Sequence, residues 1–442
     1  MISHLKIMLN LKFYQVLLFF LLLFITFATF SPIINAKYST IDDFVMIRNP
    51  NRKALKDISF KHIEEIFKSS HEGLYHPLVT ISYSIERTVF GFVPEIFHFD
   101  NLLLHIFNVS LVFIIFLIIS KSFWISFIVT ALFAIHPTRA EVVDWISARK
   151  DTLYSFFYLL SLLCYIKAYT SNKKNILILL SALCFLLSCF SKAMAITLPF
   201  LLILIDCYTH NFSKHKLKIY FIYIFIALFF IVAAVRIHYF GTRSIVVSFS
   251  FFQLFVNFIN AHFNILFYLD KFILPVKLYC MYPFFYNRFT MPPNFILYSP
   301  LFLYIIFLLC ILSLKETKTI LFGFMFFLIT LLPTMGLLKI GDFAVADRYT
   351  YIPYLGLFFI AAKTIIFLYN KSKKYLKITL LLLCFIIFVT FNILSYKRTI
   401  EWKNNTYGPP KKMKYYKFGI VTYDKQFVLE PVSKQDKTEE DI

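Results

Sequence analysis

Three sets of side chains in this sequence could do chemistry together. The first is a carboxylate pair, Asp42-Asp43, placed shortly beyond an apolar run and so within reach of a bilayer surface. Adjacent carboxylates resist joint ionisation, and a nearby basic group can hold one of them charged. A charged carboxylate at a membrane edge suits general-base work on a hydroxyl; the competing use is an N-cap for the following segment. The second set is Arg139, Arg149, Lys150, Lys192 and Arg348, cations at the ends of apolar runs. Arginine forks match phosphate oxygens bidentately, and lysine adds a point charge. Their competing use is snorkelling, or pairing with Glu141, Asp144, Asp151 and Asp347. The third set, His76, His98, His136, Glu141 and Asp347, stands in the same polar stretches and could shape an acceptor site. His98 and His105 are spaced to share a helix face with Asp100 nearby, which suits hydrogen-bonded core histidines better than a metal set.

These residues are set in a strongly apolar chain. Of 442 residues, 59% are hydrophobic, 20% aromatic and 16% charged, and the mean hydropathy is +0.72. Soluble domains average roughly a quarter charged. Disorder, coiled coil, collagen and small disulfide scaffolds are excluded, and a polytopic all-α membrane protein is expected. The net charge of +21 would suggest nucleic acid in a soluble chain. In a membrane chain it reads as cytoplasmic loop bias, so no nucleic-acid partner is expected. The seven cysteines form no CxxC and fall mostly in apolar runs, as soft hydrophobic filler.

Spans need about 20 apolar residues. The first run, Phe13 to Ile34, reads as an uncleaved helix rather than a signal peptide. Asn101 to Ile135 is too long for one span and must break into a hairpin near Lys121; Asn175 to Tyr208 breaks likewise at Lys192. Further spans are expected at Thr152–Tyr169, Leu217–Tyr239, Leu297–Leu314, Thr319–Leu338, Tyr351–Tyr369 and Tyr375–Tyr396. In the segment Ser250 to Pro275, Gln253, Asn257, Asn260 and Asn264 form a polar stripe down one helix face. The stripe fits an interfacial helix or one lining a polar cavity.

Topology chooses between them. Leaving that segment outside the bilayer gives about 11 spans, with fifteen loop lysines on one side and six basic residues in the short loops of the other. That bias puts the N-terminus in the cytoplasm and the C-terminus outside. The expected plan is a transmembrane domain over 1–400 and an extracytoplasmic tail over 401–442. The outer segments are a long first loop over 35–100 containing amphipathic helices, a second loop over 136–151, and an amphipathic segment over 250–297. All three chemical sets then lie on the outer side. Asp206 falls at the cytoplasmic end of its helix and reads as a cap or a solvated group.

At these residues the sequence resembles a known family, the multispanning GT-C-type glycosyltransferase-like proteins that usually carry C-terminal tetratricopeptide repeats. These include the eukaryotic TMTC O-mannosyltransferases and, closer in motif, their bacterial relatives. The similar motifs are Asp42-Asp43 with Asn49-Pro50, then His76-Pro77-Leu78, then His98-Phe99-Asp100-Asn101 running into His105. Next come His136-Pro137, Glu141, Val143, Trp145 and Arg149-Lys150-Asp151, followed by Ser191-Lys192 with Thr197-Leu198-Pro199. Tyr268 to Lys271, Tyr282-Pro283, Ala346-Asp347-Arg348-Tyr349 and Arg398 with Trp402 complete the series in order. Departures are Ala148 before Arg149 and Ala193 after Lys192, where the family has Glu and Pro. The sequence after Trp402 shows no 34-residue helical period.

The resemblance implies a GT-C-like fold and a polyprenyl-phosphate-sugar donor bound in membrane lipid. It also implies a hydroxyl acceptor on a protein or glycan at the outer face, and an Asp base in the first outer loop. Single displacement with inversion at the anomeric carbon follows from the same likeness, which agrees with the reading of Arg139, Arg149, Lys150, Lys192 and Arg348 as donor-phosphate binders. No organic cofactor is implied, and a divalent metal is left open. Without the repeats, any acceptor docking they provide in relatives would be missing or supplied by a separate protein. A transporter or flippase of lipid-linked sugars and a non-catalytic membrane scaffold are the rival functions. Transporters commonly show internal repeats and midplane charges, neither of which is evident here. The Ile-, Lys- and Phe-rich usage together with the bacterial motifs points to a bacterial inner membrane; a eukaryotic source would place the chain in the ER membrane.

Overall fold

The computed structural model describes residues 12–39, 42–43, 47, 58–68, 75–241, 250–280, 282, 291–337 and 345–405, with 234–241 as backbone only. Among these residues the architecture is all-helical, and the one β-pairing is an isolated bridge between Tyr282 and Val345. The helices are α1 (Phe13–Phe30), α2 (Phe60–Lys68), α3 (Pro77–Phe90), α4 (Pro94–Ser120), α5 (Phe123–Ile135), α6 (Ala140–Asp144), α7 (Arg149–Ala168) and α8 (Lys174–Ser191). They continue as α9 (Leu198–Tyr208), α10 (Leu217–Gly241), α11 (Phe251–Ile273), α12 (Asn294–Leu297), α13 (Ser299–Leu312), α14 (Thr319–Leu331), α15 (Tyr354–Lys371) and α16 (Lys374–Lys403). Among the described residues eight helical segments are long and apolar enough to cross a membrane, or nine if the bent pair α5 and Pro137–Asp144 counts as one span.

The two breaks expected from misplaced lysines are present. Lys121 ends α4 in the left-handed region at φ 54°, its amide held by Leu117 O at 3.0 Å, and Ser122 then caps α5. Lys192 ends α8 in extended conformation and leads through a short 3-10 turn into α9. Pro137 has no N–H to continue α5, and the chain bends there by 54°. α14 and α15 cross with backbones in near contact. A Cβ on Gly356 would lie 2.2 Å from Gly323 O, so only glycine permits that crossing.

One expectation changes, and one helix gains partners. The segment expected to stay out of the bilayer forms α11, a 23-residue helix long and apolar enough, by length and composition, to cross a membrane. Its amide stripe faces protein: Asn257 and Asn264 donate to the carbonyls of Leu337 and Met335, at 3.3 and 2.9 Å. Asp206 is neither a cap nor solvated. It is 3% exposed and accepts from Tyr165 at 2.6 Å, Lys216 at 2.9 Å and Tyr220. A buried carboxylate needs such partners, and side chains from α7, α10 and the turn before α10 supply them. The segment 338–344 and the tail beyond 405 lie outside the described residues.

Candidate active site

Three connections carry half of the candidate residues: His136, Arg139, Glu141, Lys192, Asp347 and Arg348. The first is 136–148. His136 is buried; its Nδ1 is 2.9 Å from Thr138 Oγ1 and its Nε2 3.3 Å from Phe272 O. After α6 the chain is extended at Trp145, makes a 3-10 turn over Ile146–Ala148, and enters α7 at Arg149. The second is the turn 192–197. The third is 345–353, where Tyr268 OH accepts the Ala346 amide at 3.1 Å and Tyr354 OH donates to Tyr268 O at 2.6 Å. α11 therefore supports the turn that bears Asp347 and Arg348.

The cations divide by partner. Arg139 is fully enclosed, donating to Tyr351 O at 2.7 Å, Thr350 O at 3.1 Å, Thr350 Oγ1 at 3.2 Å and Thr138 Oγ1 at 3.1 Å. Arg149 is equally enclosed. It forks onto Glu86, donates to Phe97 O at 2.7 Å and grips Asn101, whose amide donates to Trp145 O at 2.9 Å. Lys192 pairs with Asp151 at 2.5 Å, and Arg348 pairs with Glu141, which also takes the Arg348 amide at 2.8 Å. Lys150 is 9% exposed and has no carboxylate ion pair among the described residues. Burial and the neighbouring Arg348 and Lys192 lower its pKa, while Asp151 and Asp42 act the other way.

The two aspartates also separate. Asp43 is wholly buried: Oδ1 accepts the Ser147 amide at 3.0 Å and hydroxyl at 2.6 Å, and Oδ2 accepts the Ser39 amide at 2.7 Å. Burial raises its pKa to about 6 against the lowering effect of those donors. Asp42 is half-buried, makes no hydrogen bond among the described residues, and lies close enough to act on the charge of Lys150. Asp347 accepts from Tyr282 at 2.9 Å, and burial followed by the Glu141 charge raises its pKa.

Not every predicted residue reaches this cluster. His98 is buried, 3.4 Å from Lys37 O, and His76 is half-buried at the start of α3. His105 is a core histidine between Tyr351 OH at 2.7 Å and Ala134 O at 3.1 Å. Among the described residues no three His, Cys, Asp or Glu side chains converge as a metal set. Sequence reasoning missed Glu86, Ser147 and Tyr351. Glu86 leaves one signal, a lone carboxylate on the buried face of α3. Among the described residues the arrangement offers one half-buried carboxylate without a hydrogen bond and one ammonium without a carboxylate pair, near two ion pairs. Such a site can take a proton from a hydroxyl and hold an anion.

No family model matches the chain. It is similar over part of its length to proteins named protein O-mannosyl-transferases. The human protein O-mannosyl-transferase TMTC2 is 39% identical over 100 residues, covering 22% of this chain and 12% of the human protein. The Xenopus laevis tmtc2 is 38% identical over 102 residues, 22% of this chain and 12% of its own length. Mouse protein O-mannosyl-transferase TMTC1 is 32% identical over 98 residues, 22% of this chain and 10% of its own length. The matched stretch is thus a small share of each relative, and it relates this chain to the TMTC proteins.

Proposed function

We propose that this protein is a membrane glycosyltransferase of GT-C type. It would transfer a hexose, mannose in the named relatives, from a polyprenyl-phosphate carrier to a hydroxyl of a protein or glycan on the extracytoplasmic face. The observation that carries this reading is a half-buried Asp42 whose charge acts on Lys150, in a cluster where Lys192 pairs with Asp151 and Arg348 with Glu141. In the proposed reaction Asp42 takes the acceptor proton while the acceptor oxygen attacks the anomeric carbon. The bond from that carbon to the phosphate oxygen breaks, and the lipid phosphate leaves with the electron pair. Lys150, Lys192 and Arg348 stabilise the departing charge. Arg149, whose three nitrogens donate within the protein, and Arg139, which uses both terminal nitrogens there, position the connections rather than touch phosphate.

The lysine bias of the loops supports an orientation with these connections outside, the N-terminus in the cytoplasm and about 11 spans over 1–400. The test is transfer from a polyprenyl-phosphate sugar in purified membranes. Asp42→Asn should abolish transfer with the folded protein retained, whereas Asp43→Asn should lower it through loss of position. Full activity in both variants would remove the Asp base. Sugar movement into proteoliposomes without bond formation would replace the reading with transport.

A further inference from the structure

We propose that Trp145 is a positioning residue that sets where Lys150 and Arg348 meet the leaving phosphate, and that Trp402 holds Trp145 in place. This rests on the transfer reading of the same cluster. The backbone of Trp145 is already fixed, because Asn101 donates to its carbonyl while Arg149 grips Asn101. Its ring is 4% exposed and stacks on Trp402, with centroids 5.9 Å apart and planes at 23°. Lys150 Nζ lies 5.6 Å from the ring centroid and Arg348 Cζ 5.3 Å from it. An indole face attracts cations electrostatically, most strongly where water is scarce.

The indole N–H is buried without an acceptor among the described residues, so the ring's face, not its hydrogen bond, is what this position uses. Arg348 is also anchored by Glu141. Lys150 has no such anchor, and among the described residues its ammonium is held by the face of the Trp145 ring. Trp402 stands one residue before the end of α16, so the last helix reaches the charge cluster through this stack.

Farnesyl phosphate, a soluble polyprenyl phosphate, provides a binding probe that needs no transfer. Its equilibrium binding to the detergent-purified full chain is measured beside steady-state transfer. Trp145→Leu should weaken binding and lower transfer kcat/KM by about tenfold. Trp145→Phe should recover most of that loss, and Trp402→Leu should shift the same two quantities in the same direction. Equal behaviour of the Leu and Phe variants at position 145, or unchanged farnesyl phosphate binding in Trp145→Leu, overturns the inference. A wild-type chain that binds farnesyl phosphate but transfers no sugar overturns the transfer reading instead.

Discussion

Asp43 and Ser147, 104 positions apart, are joined twice: one carboxylate oxygen accepts both the backbone amide and the hydroxyl of the serine. The other oxygen takes the Ser39 amide, so Asp43 ties the chain after α1 to the turn before α7. Its neighbour Asp42, whose charge acts on Lys150, is thereby tethered to the same turn. Hydrogen bonds to a charged group contribute about 1.5–3 kcal/mol. Ser147→Ala should therefore lower the thermal midpoint in detergent, and its effect should be strongly non-additive with Asp43→Asn. Asp42→Asn combined with Ser147→Ala should be additive in stability. An additive result for the Asp43 pair would show that the two residues do not act as a unit.

The raised pKa of Asp43 sets a pH dependence with a definite sign. Between the ordinary value of 3.8 and about 6 the folded state keeps a proton that the unfolded state has released. Stability from this group is thus full below about pH 4 and falls as pH rises through 6. A displacement of that size corresponds to about 3 kcal/mol as an order of magnitude. Thermal midpoints of wild type and Asp43→Asn, followed from pH 4 to 7, should diverge in slope, the variant being flatter. Parallel curves would show that Asp43 does not titrate in that window.

The Arg149–Glu86 pair should behave as a buried ion pair. Removing one partner leaves the other charge buried, at a cost of about 3–5 kcal/mol. Arg149→Met alone should prevent recovery of folded protein, and Glu86→Gln should weaken it. The double variant should recover stability relative to Arg149→Met, since neither charge then remains. Arg149→Lys should not substitute, because the site uses a fork: two contacts on Glu86 together with Asn101 and Phe97 O. Size-exclusion profiles and thermal midpoints of the four variants decide the matter.

How far this arrangement was legible depends on distance along the chain. The breaks at Lys121 and Lys192 could be read because a lysine in the middle of an overlong apolar run has no place in hydrocarbon. The clustering of Lys150, Lys192 and Arg348 followed from topology. Lys192 and Arg348 pair with Asp151 and Glu141, the alternative use of those side chains, whereas Lys150 has no carboxylate pair among the described residues. Glu86 could not be matched to Arg149, since no spacing rule connects residues in α3 and α7. Asp206 was misread for a similar reason: at a helix end it looks solvated, and only packing brings Tyr165 and Tyr220 onto it. The stripe of α11 was legible as a stripe, but the sequence carried no sign that the carbonyls of residues 335 and 337 would face it.

The crossing of α14 and α15 gives the last prediction. Gly323 and Gly356 face each other so closely that a Cβ on either would lie 2.4 or 2.2 Å from the other's carbonyl oxygen. The obstacle is backbone, which cannot rotate aside as a flexible side chain would. Relief requires the helices to separate, at a cost of about 1–3 kcal/mol for overpacking of this kind. α15 begins immediately after the turn that carries Asp347, Arg348 and Tyr351, so separation moves the partners of Glu141 and Arg139 with it. Gly356→Ala should therefore lower both the thermal midpoint and transfer. Leu357→Ala, a truncation on the same helix without that backbone clash, should lower stability with a smaller loss of transfer per degree. Equal losses of transfer at matched stability would show that the crossing does not position the 345–353 turn.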